Sequence, residues 1–238
     1  MAFAQKEDYI GLESVASGTL ALRSNGQGKG NSVLEIPGSD GSIIGDEIYG
    51  HIAAPTCEYA IVGTGTMSGI ELGKVYGDID TVAGNARHLA LSRIHVTTGA
   101  GQEPVVTADS VQIEPSAQQT ICTYAIDNVT ISPARHALTF GAFSYSESTS
   151  LALQNAEFDA AANISPATIN GDPVAADATG GVETVNATFW ADSETTAPSV
   201  SVGTGWHITQ DWNCTGADAQ MFVWTATFTK YLSATHNG

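Results

Sequence analysis

Apolar and polar residues alternate with a period of two along several short stretches of this chain. That spacing turns one side of an extended strand toward a core and the other toward solvent. The clearest case is residues 220–232. One face carries Phe222, Trp224, Ala226 and Phe228, and the other Met221, Val223, Thr225, Thr227 and Thr229. The first face reads as core, and the second as a half-exposed surface rich in Thr, which sheets favour. Residues 182–190 repeat the pattern with Val185, Ala187 and Phe189 on one side. In residues 138–145, Leu138, Phe140 and Ala142 oppose Phe143 and Tyr145; residues 105–113 and 56–62 also fit. Turn sequences separate the stretches: Ser24-Asn25-Gly26, Ser39-Asp40-Gly41, Asn170-Gly171-Asp172-Pro173 and Gly180-Gly181. Many short strands punctuated in this way predict an all-β chain, an antiparallel sandwich or barrel.

Helix signals are few. Residues 80–93 and 148–163 are Ala-rich, and Asp80 is placed to cap the first. Yet Leu89 and Leu91, like Leu151 and Leu153, alternate as strand residues would. At most one or two short helices are expected. The first fifty residues differ from the rest. Residues 23–32 read RSNGQGKGNS and residues 37–50 read PGSDGSIIGDEIYG. We read residues 1–50 as an arm or long loop region that orders against neighbours, and 51–238 as a β-rich structural domain.

A weak internal repeat runs through that domain. Cys57-Glu58-Tyr59-Ala60-Ile61 recurs as Cys122-Thr123-Tyr124-Ala125-Ile126, Leu89-Ala90-Leu91 as Leu151-Ala152-Leu153, and Pro104-Val105 as Pro173-Val174. The order is kept, at offsets of 65, 62 and 69 residues. Loop insertions would account for the drift. A duplicated β unit would occupy about 57–115 and 122–190, with the C-terminal strands outside it.

Composition narrows the function. Charged residues make up 14% of the 238, against roughly 25% in ordinary soluble domains. A surface so poor in charge suits burial against neighbouring copies. The charge present is one-sided: 25 Asp and Glu against eight Lys and Arg, a formal −17. The cations are scattered singly, so phosphate binding to nucleic acid or anionic membrane is disfavoured. The start of the chain shows no basic stretch leading into an apolar one, so no secretory signal is expected. No run of about 18 apolar residues exists to span a membrane. Three cysteines, Cys57, Cys122 and Cys214, show no metal spacing and read as free thiols.

Candidate chemistry is sparse. His51, His88, His95, His136, His207 and His236 form no HExxH or Cys/His cluster. The run Gly63-Thr64-Gly65-Thr66-Met67-Ser68-Gly69 lacks GxGxxG and GK[ST], so it reads as a turn rather than a phosphate loop. No GxSxG elbow occurs. Asp40, Asp46 and Glu47 in a glycine-rich stretch, and Asp78 with Asp80, are the calcium candidates, although neither follows the EF-hand spacing. A glycosidase-type carboxylate pair leaves no spacing signal, and none is selected. All four tryptophans, Trp190, Trp206, Trp212 and Trp224, fall in the last fifty residues. Trp224 reads as core. Trp206 and Trp212 flank a turn-like stretch and are the candidate exposed aromatics, read as core or oligomer interface, or else as a platform for sugar rings. Asn128-Val129-Thr130, Asn186-Ala187-Thr188 and Asn213-Cys214-Thr215 match the glycosylation sequon, read here as coincidence in a Thr-rich chain. No catalytic residue, metal or cofactor is expected.

Two stretches give the chain its character: Pro166-Ala167-Thr168-Ile169-Asn170-Gly171-Asp172-Pro173-Val174 and Val182-Glu183-Thr184-Val185-Asn186-Ala187-Thr188-Phe189-Trp190. With the acidity and the Thr/Ala/Gly-rich strands, they resemble virion structural proteins of tailed bacteriophages over residues 50–232. Tail-tube proteins are the nearest in kind. The resemblance implies a β-sandwich or barrel that stacks into rings, loops bridging successive rings, and an acidic channel along which DNA slides. It implies partners that are copies of the chain and other virion proteins, and a subunit made in a host cytoplasm and resident in the virion. It brings no short motif, and so no site residues. A capsid decoration or head-fibre protein is the alternative in the same class, and a carbohydrate-binding adhesion module the alternative outside it.

Overall fold

The computed structural model describes residues 8, 10–16, 19–37, 43–61, 65–79, 87–99, 103–113, 122–132, 137–139, 142–145, 148, 150–169, 172–218 and 221–236. Within them the chain is all-β, and every pair of strands is antiparallel. One short helix, α1 (Leu12–Val15), precedes the strands.

Eight strands form the path of the main sheet. They are β1 (Leu20–Pro37), β2 (Ile43–Ile61), β6 (Arg87–Gly99), β7 (Val105–Ile113), β12 (Leu151–Ile169), β13 (Asp172–Ala191), β15 (His207–Asp218) and β16 (Met221–Tyr231). Their order is β1-β2-β7-β6-β12-β13-β16-β15, and β5 (Val75–Ile79) adds a ninth strand against the first part of β6. The path is open, because β1 and β15 do not pair. Three small sheets complete the architecture. They are β10-β9-β3 (Ala137–Thr139, Val129–Ser132, Gly65–Met67), β11-β14 (Phe143–Ser144, Ser201–Val202) and β17-β8-β4 (Ala234–His236, Cys122–Ala125, Glu71–Leu72). β8 lies against β13, and β4 against β6 and β12, which closes the core as a second layer.

Register explains the core. Leu22, Tyr59, Val106, Val96, Phe158, Val185, Phe228 and Ile208 are successive cross-strand partners, one apolar row running the width of eight strands. Because side chains alternate faces, the adjacent row lies on the other side of the sheet. That row is polar: Ser24, Glu58, Thr107, His95, Asp159, Thr184, Thr229 and His207. Phe143, Phe189, Phe228, Tyr145 and Trp212 then form an aromatic cluster with centroids 4.9–6.2 Å apart. Its tilted and edge-on contacts add to the burial of apolar area.

The strands read from residues 105–113, 182–190 and 220–232 form as expected. The stretch 138–145 does not form one strand. Residues 137–139 pair with β9, whereas Phe143 and Ser144 pair with β14, after a turn that buries Ala142. Both Ala-rich helix candidates are strands where described, β6 and β12. Their alternating Leu residues and their partners on both edges outweigh the helical preference of Ala. The arm reading also changes. Residues 20–37 and 43–50 lie in β1 and β2, which pair from Leu20↔Ile61 to Pro37↔Ile43. Glycines weaken the local strand signal there, and a ladder to a distant partner supplies what propensity does not. Among the described residues, 43–55 pair with β1 alone, and β7 engages residues 56–60.

A second two-stranded ribbon, residues 163–181, is built the same way from β12 and β13. Ile164, Ala176 and Ala178 are buried on one of its sides, and β13 approaches β2 and β7, so this ribbon folds back over the body. The repeated motif falls in unlike places. Cys57–Ile61 closes β2 in the main sheet, while Cys122–Ala125 is β8 in a small one. The Leu-Ala-Leu copies lie in β6 and β12, neighbours in the main sheet.

Candidate functional site

The main sheet positions a buried cluster of charge. Core-facing positions on β13 run Gly181, Glu183, Val185, Ala187 and Phe189, and those on β16 run Trp224, Ala226, Phe228 and Lys230. Glu183 and Lys230 are direct cross-strand partners. An acid and a base thus occupy the last places of two apolar stripes. Glu183 has 0% of its surface exposed. Asp127, in the link between β8 and β9, reaches the same point. Its backbone N–H donates to Glu183 Oε1 at 2.5 Å. Lys230 Nζ donates to Asp127 Oδ1 at 2.5 Å and lies 3.9 Å from Glu183 Oε2. The Trp206 indole N–H donates to Asp127 Oδ2 at 2.9 Å.

Two carboxylates therefore share one ammonium. Glu183 Oε2 is buried without a hydrogen bond. Burial pushes the Glu183 carboxyl up from 4.5 to about 7; the Asp127 charge adds to this, and the Asp127 N–H and Lys230 offset only part. A buried acid of this kind is costly unless it is paired.

Trp206 and Trp212 were the sequence's candidates. Of the readings open for Trp206 the core one holds: it is 4% exposed because its ring fills the core and its N–H is taken by Asp127. Trp212 is half-buried, edge-on to Phe189 and Phe228. Neither ring is an open platform. Asp127, Glu183 and Lys230 were not singled out from the sequence. The signal available was parity: Glu183 and Lys230 share a face with residues already read as core.

Other candidates disperse. His95 lies 3.5 Å from Asp159, and His236 Nδ1 is 3.1 Å from Cys122 Sγ. Among the described residues no group of three or more His, Cys, Asp or Glu could hold a metal. Asp46 and Glu47 lie in β2 and Asp78 in β5; Asp40 and Asp80 fall outside the described residues. The glycine run contributes β3 and a turn at Gly69, whose φ is 70°. None of the three cysteines forms a disulfide.

The polar face of the main sheet is the second feature. Arg23 lies between Glu58 and Glu103, and Arg93 between Asp109 and Asp159. Asp109 also accepts the Thr56 hydroxyl at 2.7 Å. Elsewhere Lys74 pairs with Glu71 and Lys230 with Asp127. Among the residues whose side chains are described, every Lys and Arg is held by a carboxylate. No helix of the described residues is long and apolar enough to cross a membrane. No family model and no characterised protein matches this sequence.

Proposed function

We propose that this chain is a structural virion subunit that assembles with copies of itself, as a tail-tube-like component whose polar sheet face lines a channel for DNA. The observation that carries the reading is that face. It is eight strands wide and polar along a continuous row, and Arg23 and Arg93 on it each lie within 4.0 Å of two carboxylates. Such a wall pairs Arg23 and Arg93 with carboxylates and repels phosphate by net charge. Self-assembly is supported by the ribbon of β1 and β2. A two-stranded hairpin paired only with itself is marginal in water, and a neighbouring copy would supply the missing cover. Other virion proteins are the remaining partners, and no external substrate or cofactor is required.

A capsid decoration protein remains the second reading, because the same ribbon would serve as a capsid-docking arm. Negative-stain electron microscopy across a concentration series separates the two. Rings or hollow tubes of the purified protein are the expected result. A monomer at every concentration would overturn the tube reading and favour docking to a preformed shell.

A further inference from the structure

We propose that Lys230 and Asp127 condense to an intramolecular amide, with Glu183 as the proton carrier. The groups are already assembled. Nζ stands 2.5 Å from Oδ1, the oxygen that would leave. Oδ2, which would become the amide oxygen, receives the Trp206 N–H at 2.9 Å. That donor stabilises the negative charge that gathers on Oδ2 as nitrogen attacks the Cγ carbon. Glu183 Oε1 is fixed by the Asp127 N–H, and the unpartnered Oε2 faces Nζ at 3.9 Å. An ion pair with Lys230 needs only one acid, and Glu183 adds a second beside it. A base beside the amine is what the chemistry needs.

The step balances within the chain. The Nζ–Cγ bond forms and the Cγ–Oδ1 bond breaks. The ammonium starts with three protons and the amide keeps one. Glu183 takes the other two in succession and delivers them to Oδ1, which leaves as water. Glu183 ends as the carboxylate it began, and the net charge of the cluster is −1 before and after. No oxidant or activating group is required. Held contact supplies the effective concentration that dilute amine and acid lack. The product would tie β16 to the link after β8, in a chain whose described cysteines form no disulfide.

Intact-mass measurement of the full-length protein, followed by peptide mapping, tests this. The expected result is a mass lower by one water and a branched fragment joining the peptides of Lys230 and Asp127. Lys230→Arg and Asp127→Ala should restore the full mass, and Glu183→Gln should block or greatly slow closure. A wild-type chain at its full calculated mass after prolonged incubation at neutral pH overturns the proposal. So does a water loss mapped elsewhere, such as a cyclic imide at Asp40-Gly41. If Glu183→Gln closes at the wild-type rate, the role given to Glu183 is wrong. The branched fragment decides the main point even if a variant fails to fold.

Discussion

The ring of Tyr124 lies against Gly181 so closely that a methyl group at position 181 would meet it at 2.4 Å. β8 can therefore lie over β13 only because β13 has no side chain there. The Gly181 carbonyl also accepts the Leu232 N–H at 2.9 Å, at the end of β16. Gly181→Ala should force the two layers apart at the edge of the charged cluster. We expect a loss of about 1–3 kcal/mol, the usual range for overpacking, read from the denaturant midpoint. An unchanged midpoint would mean that the layers can slide freely.

Asp8 ties α1 to the main sheet. Its carboxylate accepts the Gly11 and Glu13 N–H groups, at 2.9 and 2.8 Å, and the Tyr59 hydroxyl at 2.5 Å. Burial, with the Asp8 hydrogen bond and charge, pushes the Tyr59 hydroxyl far above its usual range, so it stays a donor. Tyr59→Phe should cost about 1–2 kcal/mol, because a charged acceptor loses its donor. Amide exchange at Gly11 and Glu13 should speed up with it. Loss of stability without faster exchange there would place the effect in the core instead.

Glu183 predicts a direction for pH. The Lys230→Arg chain keeps the positive charge and leaves the amide unmade, so it isolates the titration. The folded-state value of about 7 lies above the ordinary 4.5. The folded chain thus holds a proton that the unfolded chain releases. The contribution of Glu183 to stability should be greatest below pH 4.5, fall as pH rises through about 7, and level off above it. The loss is at most ~3 kcal/mol. Adding Glu183→Gln should flatten the slope between pH 5 and 8 in denaturant titrations. A slope that survives this change must come from another group.

Freeing an arginine should change what the polar face tolerates. Asp109→Asn with Asp159→Asn leaves Arg93 without its two carboxylates. The variant should bind DNA weakly at low salt where the parent does not, with a salt slope of about one per phosphate contacted. Fluorescence anisotropy with labelled duplex across salt concentrations measures this. Tight binding by the unaltered protein would remove the channel reading.

Much of this fold was legible because parity is local. In residues 185–191 of β13 and 224–228 of β16 each second residue is apolar, and these positions are the ones buried. Glu183 and Lys230 were legible in the same way, as charges on a core face. Asp127 was not, since its place depends on how the link after β8 crosses β13 and β16. The β1–β2 ribbon was obscured by Gly26, Gly28 and Gly30, which say nothing about a partner twenty or more residues away. Trp206 misled for a related reason: it follows a turn, as surface residues do, but Gly205 at φ 78° turns the chain so that the ring enters the core.

The root of that ribbon has a mechanical consequence. Among the described residues, 43–55 pair with β1 alone, and at about 3.3 Å per residue they make a lever of roughly 40 Å. Its fulcrum is Thr56, where the hydroxyl grips Asp109 on β7. A tilt of about ten degrees there would sweep the tip through roughly 7 Å on that length. Where the far end of the ribbon comes to rest is therefore decided at Thr56, not at the tip.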